Sequence, residues 1–178
     1  YPTRAYFGDT HVHSGWSGDA GLDGAILSPE DAFRFARGEE VKSNTGQMAK
    51  LKRPLDWMVI TDHSDGMGTI NEIRAGNPEM ISDPFLKRMF EAMNGTDQEE
   101  AAAATMELIA RQSTGKLPKQ LMDPRWMVSA WEKTANIADK YNEPGKFSAM
   151  IGYEFTPNPG GGNNLHRNVI YRDGADLA

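Results

Sequence analysis

Apolar and β-branched residues cluster in four short runs along the chain, and each run predicts a β-strand. The runs are AYFGDTHVH at 5–13, LDWMVIT at 55–61, AMIGYEFT at 149–156 and NVIY at 168–171. The second run is almost continuously apolar, which is typical of a strand that is buried on both faces.

Helix start signals lie between these runs. Three stretches combine a serine or aspartate cap with a proline at the first helical position, and a fourth begins with an aspartate cap. The predicted helices begin at Ser28, Asp83, Asp97 and Asp123 and end near Arg37, Gly95, Gly115 and Tyr141. Alternating strands and helices predict an α/β fold. Residues 66–122 form a helical stretch between the second and third strands that is longer than an ordinary crossover, and we interpret it as an insertion.

All four histidines lie at the start or the end of an apolar run. Because residues i and i+2 of a strand point to the same face, His11 and His13 can bind one cation while Val12 packs behind them. Imidazole is the commonest metal ligand in proteins. A partly exposed strand pair that hydrogen-bonds to carbonyl groups is the alternative for this motif.

Two further motifs strengthen the metal hypothesis. His63 follows the buried run directly, and charged or imidazole groups rarely do so unless they are paired or metal-bound. Glu154 lies between Tyr153 and Phe155, and His166 precedes the next predicted strand. A solvent-facing glutamate is the alternative at 154, but the nearby histidine favours a ligand.

Composition excludes several classes of protein. With 19 basic and 25 acidic residues, the net charge of −6 argues against a broad nucleic-acid surface. The absence of cysteine excludes disulfides and thiolate metal sites, and it slightly favours an exported or periplasmic protein over a cytoplasmic one. No apolar run is long enough to cross a membrane. Bound cations can still attract an anionic substrate to an acidic protein.

Together the motifs YFGDTHVHSGWSGDA, LDWMVITDHSD and GYEFTPNPGGGNNLHRNV resemble a bacterial branch, domain of unknown function 3604, of the polymerase and histidinol phosphatase (PHP) superfamily of metal-dependent phosphoesterases. The resemblance covers Tyr6 to about Tyr171 and is weak in the middle. It implies part of a distorted (β/α) PHP-type barrel that carries two or three zinc, manganese or iron ions at the carboxyl ends of its strands.

The resemblance also implies a role for each matching residue. His11 and His13 would bind a first metal, Glu154 would bridge the first and second, and His166 would bind the second. His63 would bind a third metal with Asp19, which stands where the superfamily often has a histidine. Asp19 could instead stabilise the glycine-rich turn.

Three more residues are candidates around these ligands. Asp9 and Asp62 are predicted to orient imidazoles by accepting the second ring proton, although both also suit strand-end turns. Arg167 could contact a phosphoryl oxygen, but strand alternation would point it away from the metals. The glycine-rich run at 158–164 could present backbone amides to a phosphate or simply connect two strands.

The predicted function is metal-dependent hydrolysis of a small-molecule phosphoester by a metal-bound hydroxide. The alternatives are an amidohydrolase-like cleavage of C–N or C–O bonds, and a catalytically idle metal-binding domain. A parallel barrel of this kind normally takes about 250 residues. Residues 1–178 are therefore expected to form a single, incomplete PHP-like domain, which the remainder of the chain or another copy would complete.

Overall fold

The computed structural model describes residues 3–157 and 165–178, so the glycine-rich run at 158–164 lies outside the described residues. The helices are α1 Gly18–Leu22, α2 Pro29–Ala36, α3 Thr69–Arg74, α4 Pro84–Asn94, α5 Gln98–Ser113 and α6 Pro124–Tyr141, with a 3-10 helix at Lys119–Met122. The strands are β1 Gly8–Asp9, β2 Val41–Lys42, β3 Met48–Ala49, β4 Trp57–Val59, β5 Ser148–Met150, β6 Gly152–Phe155 and β7 Arg167–Ile170.

The four predicted helix starts are confirmed by their caps. At α2 the Ser28 hydroxyl accepts the Asp31 amide at 3.3 Å, and the Asp31 carboxylate accepts the Ser28 amide at 3.1 Å. At α4, α5 and α6 the capping aspartate accepts from amides of the first turn. Each cap satisfies backbone donors that have no partner inside the helix.

The central sheet brings three segments with candidate ligands to one edge. It is parallel, with the strand order β1-β4-β5. Beyond β4, an isolated parallel bridge pairs His63 with Glu154, and β6 continues into an antiparallel hairpin with β7. Because parallel strands end on the same side of a sheet, the His-x-His, Thr-Asp-His and Gly-x-Glu segments meet there.

The α/β class is confirmed, but the strands are shorter than the apolar runs. The His-x-His pair lies just past β1, because the Asp9 carboxylate accepts the His11 amide at 2.9 Å and turns the chain. The chain still runs beside β4, since the Thr61 amide donates to the Val12 carbonyl at 2.8 Å. The β2–β3 hairpin was not predicted. Within residues 3–157 and 165–178, the three small sheets do not close into a barrel.

Two apolar clusters hold the fold together. Phe33 of α2 lies in one cluster with Met58 of β4, with Ile60 and Ile151 just outside the strands, and with Ala135 and Ala138 of α6. A second cluster joins α3, α4 and α5, the helices of the stretch interpreted as an insertion. In the part of the chain that the structure describes, no helix has the length and apolar character needed to cross a membrane.

Candidate metal centre

Six side chains with metal-ligating atoms converge at the carboxyl edge of the sheet. They form three groups, and within each group the possible ligand atoms lie within 4.8 Å of one another. The groups are His11, His13 and Glu154; His13, Asp19 and His63; and His63, Glu154 and His166. The structure therefore brings together every residue for which the sequence predicted a metal-ligand role.

Glu154 lies at the centre and is fully buried. Its Oε2 atom is 2.8 Å from His13 Nε2, 3.3 Å from His11 Nε2 and 3.7 Å from His63 Nε2, whereas its Oε1 atom contacts His166 Nδ1. Burial alone would raise the pKa of Glu154, but the His166 hydrogen bond and the neighbouring His63 and His13 outweigh it and lower the pKa. A buried carboxylate with a different histidine at each oxygen suits a bridge between two cations.

His13 provides the test of whether a metal fits. Its Nδ1 atom lies 2.9 Å from both carboxylate oxygens of Asp19. Its Nε2 atom is buried and has no hydrogen-bond partner among the described residues, although it is close to Glu154. An orphaned ring nitrogen that faces a carboxylate and a second imidazole is suited to bind a cation. The imidazole and carboxylate donors match zinc, manganese or iron.

Two hydroxyl residues that the sequence analysis missed connect the ligands. Ser17, which is fully buried, donates to Asp19 Oδ1 at 2.6 Å and accepts the His63 amide at 3.1 Å. The Thr156 hydroxyl lies 2.9 Å from His63 Nδ1 and 3.4 Å from His166 Nδ1. Each lies two residues from a predicted ligand in sequence, which is the only sign that could have identified it.

Asp9 and Asp62 contact the backbone of the His-x-His segment. Asp62 is fully buried and accepts the Ser14 amide at 2.5 Å and the Ser14 hydroxyl at 2.6 Å. Burial raises the pKa of Asp62, and the two bonds from Ser14 oppose that rise. Asp9 accepts the His11 amide. In the described structure neither of these two carboxylates hydrogen-bonds to an imidazole, whereas those of Asp19 and Glu154 do.

Arg167 lies on the opposite face of the hairpin from the ligands. In the β6–β7 register it is paired with Phe155, whereas Glu154 is paired with Asn168. Neighbouring pairs of a hairpin point to opposite faces. The Asn168 side-chain amide (Nδ2) donates to the Thr10 backbone carbonyl at 2.6 Å, so the hairpin is attached to the chain just before the His-x-His pair.

The helical stretch between β4 and β5 reaches the edge of this centre. The Gln112 side chain, near the end of α5, donates to Asp65 Oδ2 at 2.9 Å. Asp65 Oδ1 in turn lies 3.8 Å from His63 Nδ1. Helix α5 thus flanks the centre.

The charges in the centre predict how metal binding depends on pH. The hydrogen bond that His63 donates to the Asp19 carboxylate raises the pKa of His63 against the effect of burial. Burial alone would lower the pKa of His13, but Asp19 outweighs it and the pKa rises above the ordinary 6.5. A protonated imidazole cannot bind a metal. We therefore expect zinc affinity to increase from about pH 6 to about pH 8, with release of protons.

Titration calorimetry in two buffers of different ionisation enthalpy would count those protons. The stability of the metal-free fold is expected to show the opposite dependence on pH, which provides an internal control. Raised histidine pKa values stabilise the fold fully below pH 6.5, and that contribution is lost as the pH rises through the folded-state values. A zinc affinity that stays constant over this range would contradict the assignment of these histidines as ligands.

The sequence model of the family described as "Protein of unknown function (DUF3604)" matches residues 1–178, so the chain belongs to this family. No curated protein matches the chain. No solved structure matches it either.

Proposed function

We propose that this DUF3604 protein is a metal-dependent hydrolase that cleaves phosphoester bonds of a small molecule. The proposal includes membership of the PHP superfamily and a barrel of that type, both of which rest on the order of the motifs. The observation that carries the proposal is the convergence of three groups of possible ligands around the buried Glu154.

The ligand atoms support a centre with more than one cation. His11 and His13 face one oxygen of Glu154, while His166 faces the other. Divalent cations bound here would lower the pKa of a water molecule and neutralise charge on a phosphoryl group.

The charge of the protein itself explains why cations would be needed. Among the described residues, only histidines form ion pairs with Glu154 and Asp19. With these histidines neutral, the centre is anionic and would repel a phosphoester. Metal binding reverses the sign of the local charge and makes the pocket suitable for an anionic substrate.

The surrounding residues orient the ligands. Ser17 connects Asp19 with the backbone of His63, and Thr156 lies between the rings of His63 and His166. Fixed ring orientations keep ligand atoms directed at the cations.

The experiment is turnover of a phosphomonoester, a phosphodiester, a carboxylic ester and an amide by the full-length protein. The protein is first stripped with a chelator and then reloaded with zinc, manganese or iron. We expect phosphoester hydrolysis that appears only with metal. Glu132→Gln, on the exposed side of α6, serves as the matched control and retains full activity.

Two other outcomes reject the proposal. Cleavage of the amide or the carboxylic ester alone would indicate an amidohydrolase-like enzyme. Stoichiometric metal binding without any hydrolysis would indicate a catalytically idle metal-binding domain.

A further inference from the structure

We propose that the β2–β3 hairpin docks on an anionic lipid bilayer, at the end of the sheet opposite the metal centre. The proposal starts from the distribution of charge along the chain. Residues 41–55 contain four basic residues and no acidic one, although the whole chain has 25 acidic and only 19 basic residues. The rest of the chain therefore carries 15 basic residues against 25 acidic ones. The four residues form a basic patch that consists of Lys42, Lys50, Lys52 and Arg53.

The hairpin presents this charge to solvent. Lys42 pairs with Met48 in the β2–β3 register, and Val41 pairs with Ala49. Paired residues point to the same face of the hairpin, and Val41 is buried, so Lys42 and Met48 lie on the outer face. All four basic residues of the patch are exposed.

The surroundings do not neutralise the patch. Among the described residues, its three lysines form no ion pair, and Arg53 lies 3.7 Å from Asp56 Oδ2. Asp56 also accepts a hydrogen bond from Arg4. Glu40, directly before β2, opposes the patch with a single negative charge. The hairpin surface keeps an excess of positive charge, which complements anionic lipid headgroups.

Exposed apolar side chains lie beside the positive charges. Met48 is 57% exposed, and Tyr6 and Phe7, which precede β1, are 56% and 52% exposed. The Arg53 guanidinium lies over the Phe7 ring, 4.7 Å from its centroid, so the start of β1 and the patch form one surface. Proteins that bind at a membrane surface combine basic residues for the headgroups with apolar residues that enter the boundary between headgroups and acyl chains.

The same contacts favour a bilayer over a nucleic acid. Proteins that bind single strands stack the bases on exposed faces of aromatic rings. Here a guanidinium covers one face of each exposed ring, because Arg4 lies 4.5 Å from the Tyr6 centroid and Arg53 lies over Phe7. A ring covered in this way can still insert its edge among lipid headgroups.

The position of the hairpin is compatible with docking and with an accessible metal centre. The hairpin connects the end of α2 to the start of β4, so it lies at the amino end of the central sheet. The Leu55 amide donates to the Ala36 carbonyl at 2.8 Å, which fixes the chain after the hairpin on α2. The candidate ligands lie at the carboxyl end of the sheet. The proposal does not depend on the function of that centre.

Co-sedimentation of the full-length protein with vesicles tests the proposal. We expect binding to vesicles of phosphatidylcholine mixed with phosphatidylglycerol, weaker binding as the salt concentration rises, and no binding to phosphatidylcholine alone. The double variant Lys50→Gln/Lys52→Gln should bind about 25-fold more weakly, since each basic residue near an anionic bilayer contributes about fivefold. The control Lys87→Gln/Lys133→Gln removes the same charge from exposed positions of α4 and α6 and should bind as the wild type.

A second pair of variants tests the apolar contribution. Met48→Gln is expected to weaken binding to the mixed vesicles by about tenfold. Met106→Gln is the matched control, because Met106 is 65% exposed on α5, outside the hairpin, and its replacement should leave binding unchanged.

Thermal unfolding and turnover of a soluble phosphoester would be measured for every variant. Neither should change, because none of these residues belongs to the metal centre. The proposal is overturned if the full-length protein does not bind the mixed vesicles, or if it binds phosphatidylcholine alone equally well. Equal losses in the hairpin variants and their controls, or binding of a DNA oligonucleotide in preference to the vesicles, would also overturn it.

Discussion

Replacing Glu154 with glutamine is expected to abolish metal-dependent hydrolysis and to remove tight zinc binding altogether. The residue is fully buried and contacts histidines through both oxygens, so the change affects both proposed cations together. Glutamine keeps the shape but lacks the negative charge. Loss of a partner that only orients a ligand costs roughly 10–100-fold in affinity or activity, and loss of the bridging carboxylate should exceed that.

Calorimetric zinc titration and phosphoester turnover of Glu154→Gln would be measured beside Glu132→Gln. The control removes the same charge from the exposed face of α6 and should behave as the wild type. Circular dichroism and thermal unfolding of both metal-free variants would show whether the fold is retained. A folded Glu154→Gln protein that binds two zinc ions with unchanged affinity would exclude Glu154 as the bridge.

The convergence of the candidate ligands could be predicted because it depends on topology and on residue type. Parallel strands end at one edge, so the His-x-His and Thr-Asp-His motifs, which follow β1 and β4, meet there. The caps of the four predicted helices could also be predicted from the sequence, because an aspartate or serine before the first turn accepts hydrogen bonds from the backbone amides of that turn. The helix caps depend on neighbouring residues in the sequence, and the meeting of the motifs depends on a general rule of parallel sheets. Neither prediction requires knowledge of how the side chains pack.

The connections between the ligands could not be predicted from the sequence. Ser17 and Thr156 are common residue types, and their roles depend on which ring they meet after folding. The pairing of Asp19 with His13 depends on the short helix α1, which forms within a glycine-rich stretch that gives no helical pattern. The sequence indicated Asp9 and Asp62 as the orienting carboxylates. In the structure they accept hydrogen bonds from the His-x-His backbone and from the Ser14 hydroxyl.

The lengths of the strands also depend on the tertiary structure. An apolar run such as 55–61 indicates burial, but only three of its residues, Trp57–Val59, pair as a strand. Beyond β4 the Thr61 hydroxyl lies 3.1 Å from the Val12 amide and accepts its hydrogen bond, so side chains replace part of the regular ladder. This hydrogen bond holds the His-x-His segment beside the chain that leads to His63.

His13→Ala is expected to reduce metal-dependent hydrolysis to background, whereas His63→Ala should reduce it by roughly 10–100-fold. The Nε2 atom of His13 is 2.8 Å from Glu154 Oε2, and removal of the His13 ring also leaves Asp19 without its closest imidazole. His63 is more peripheral, because its Nε2 atom lies 3.7 Å from Glu154 Oε2.

Turnover at saturating zinc, together with the zinc content of each variant, measures the difference between these two histidines. Zinc saturation separates weaker metal binding from a loss of function in the loaded centre. If both substitutions leave turnover and zinc content unchanged, the metal mechanism is rejected. If His63→Ala is as damaging as His13→Ala, the prediction that His63 is the less critical of the two histidines is rejected.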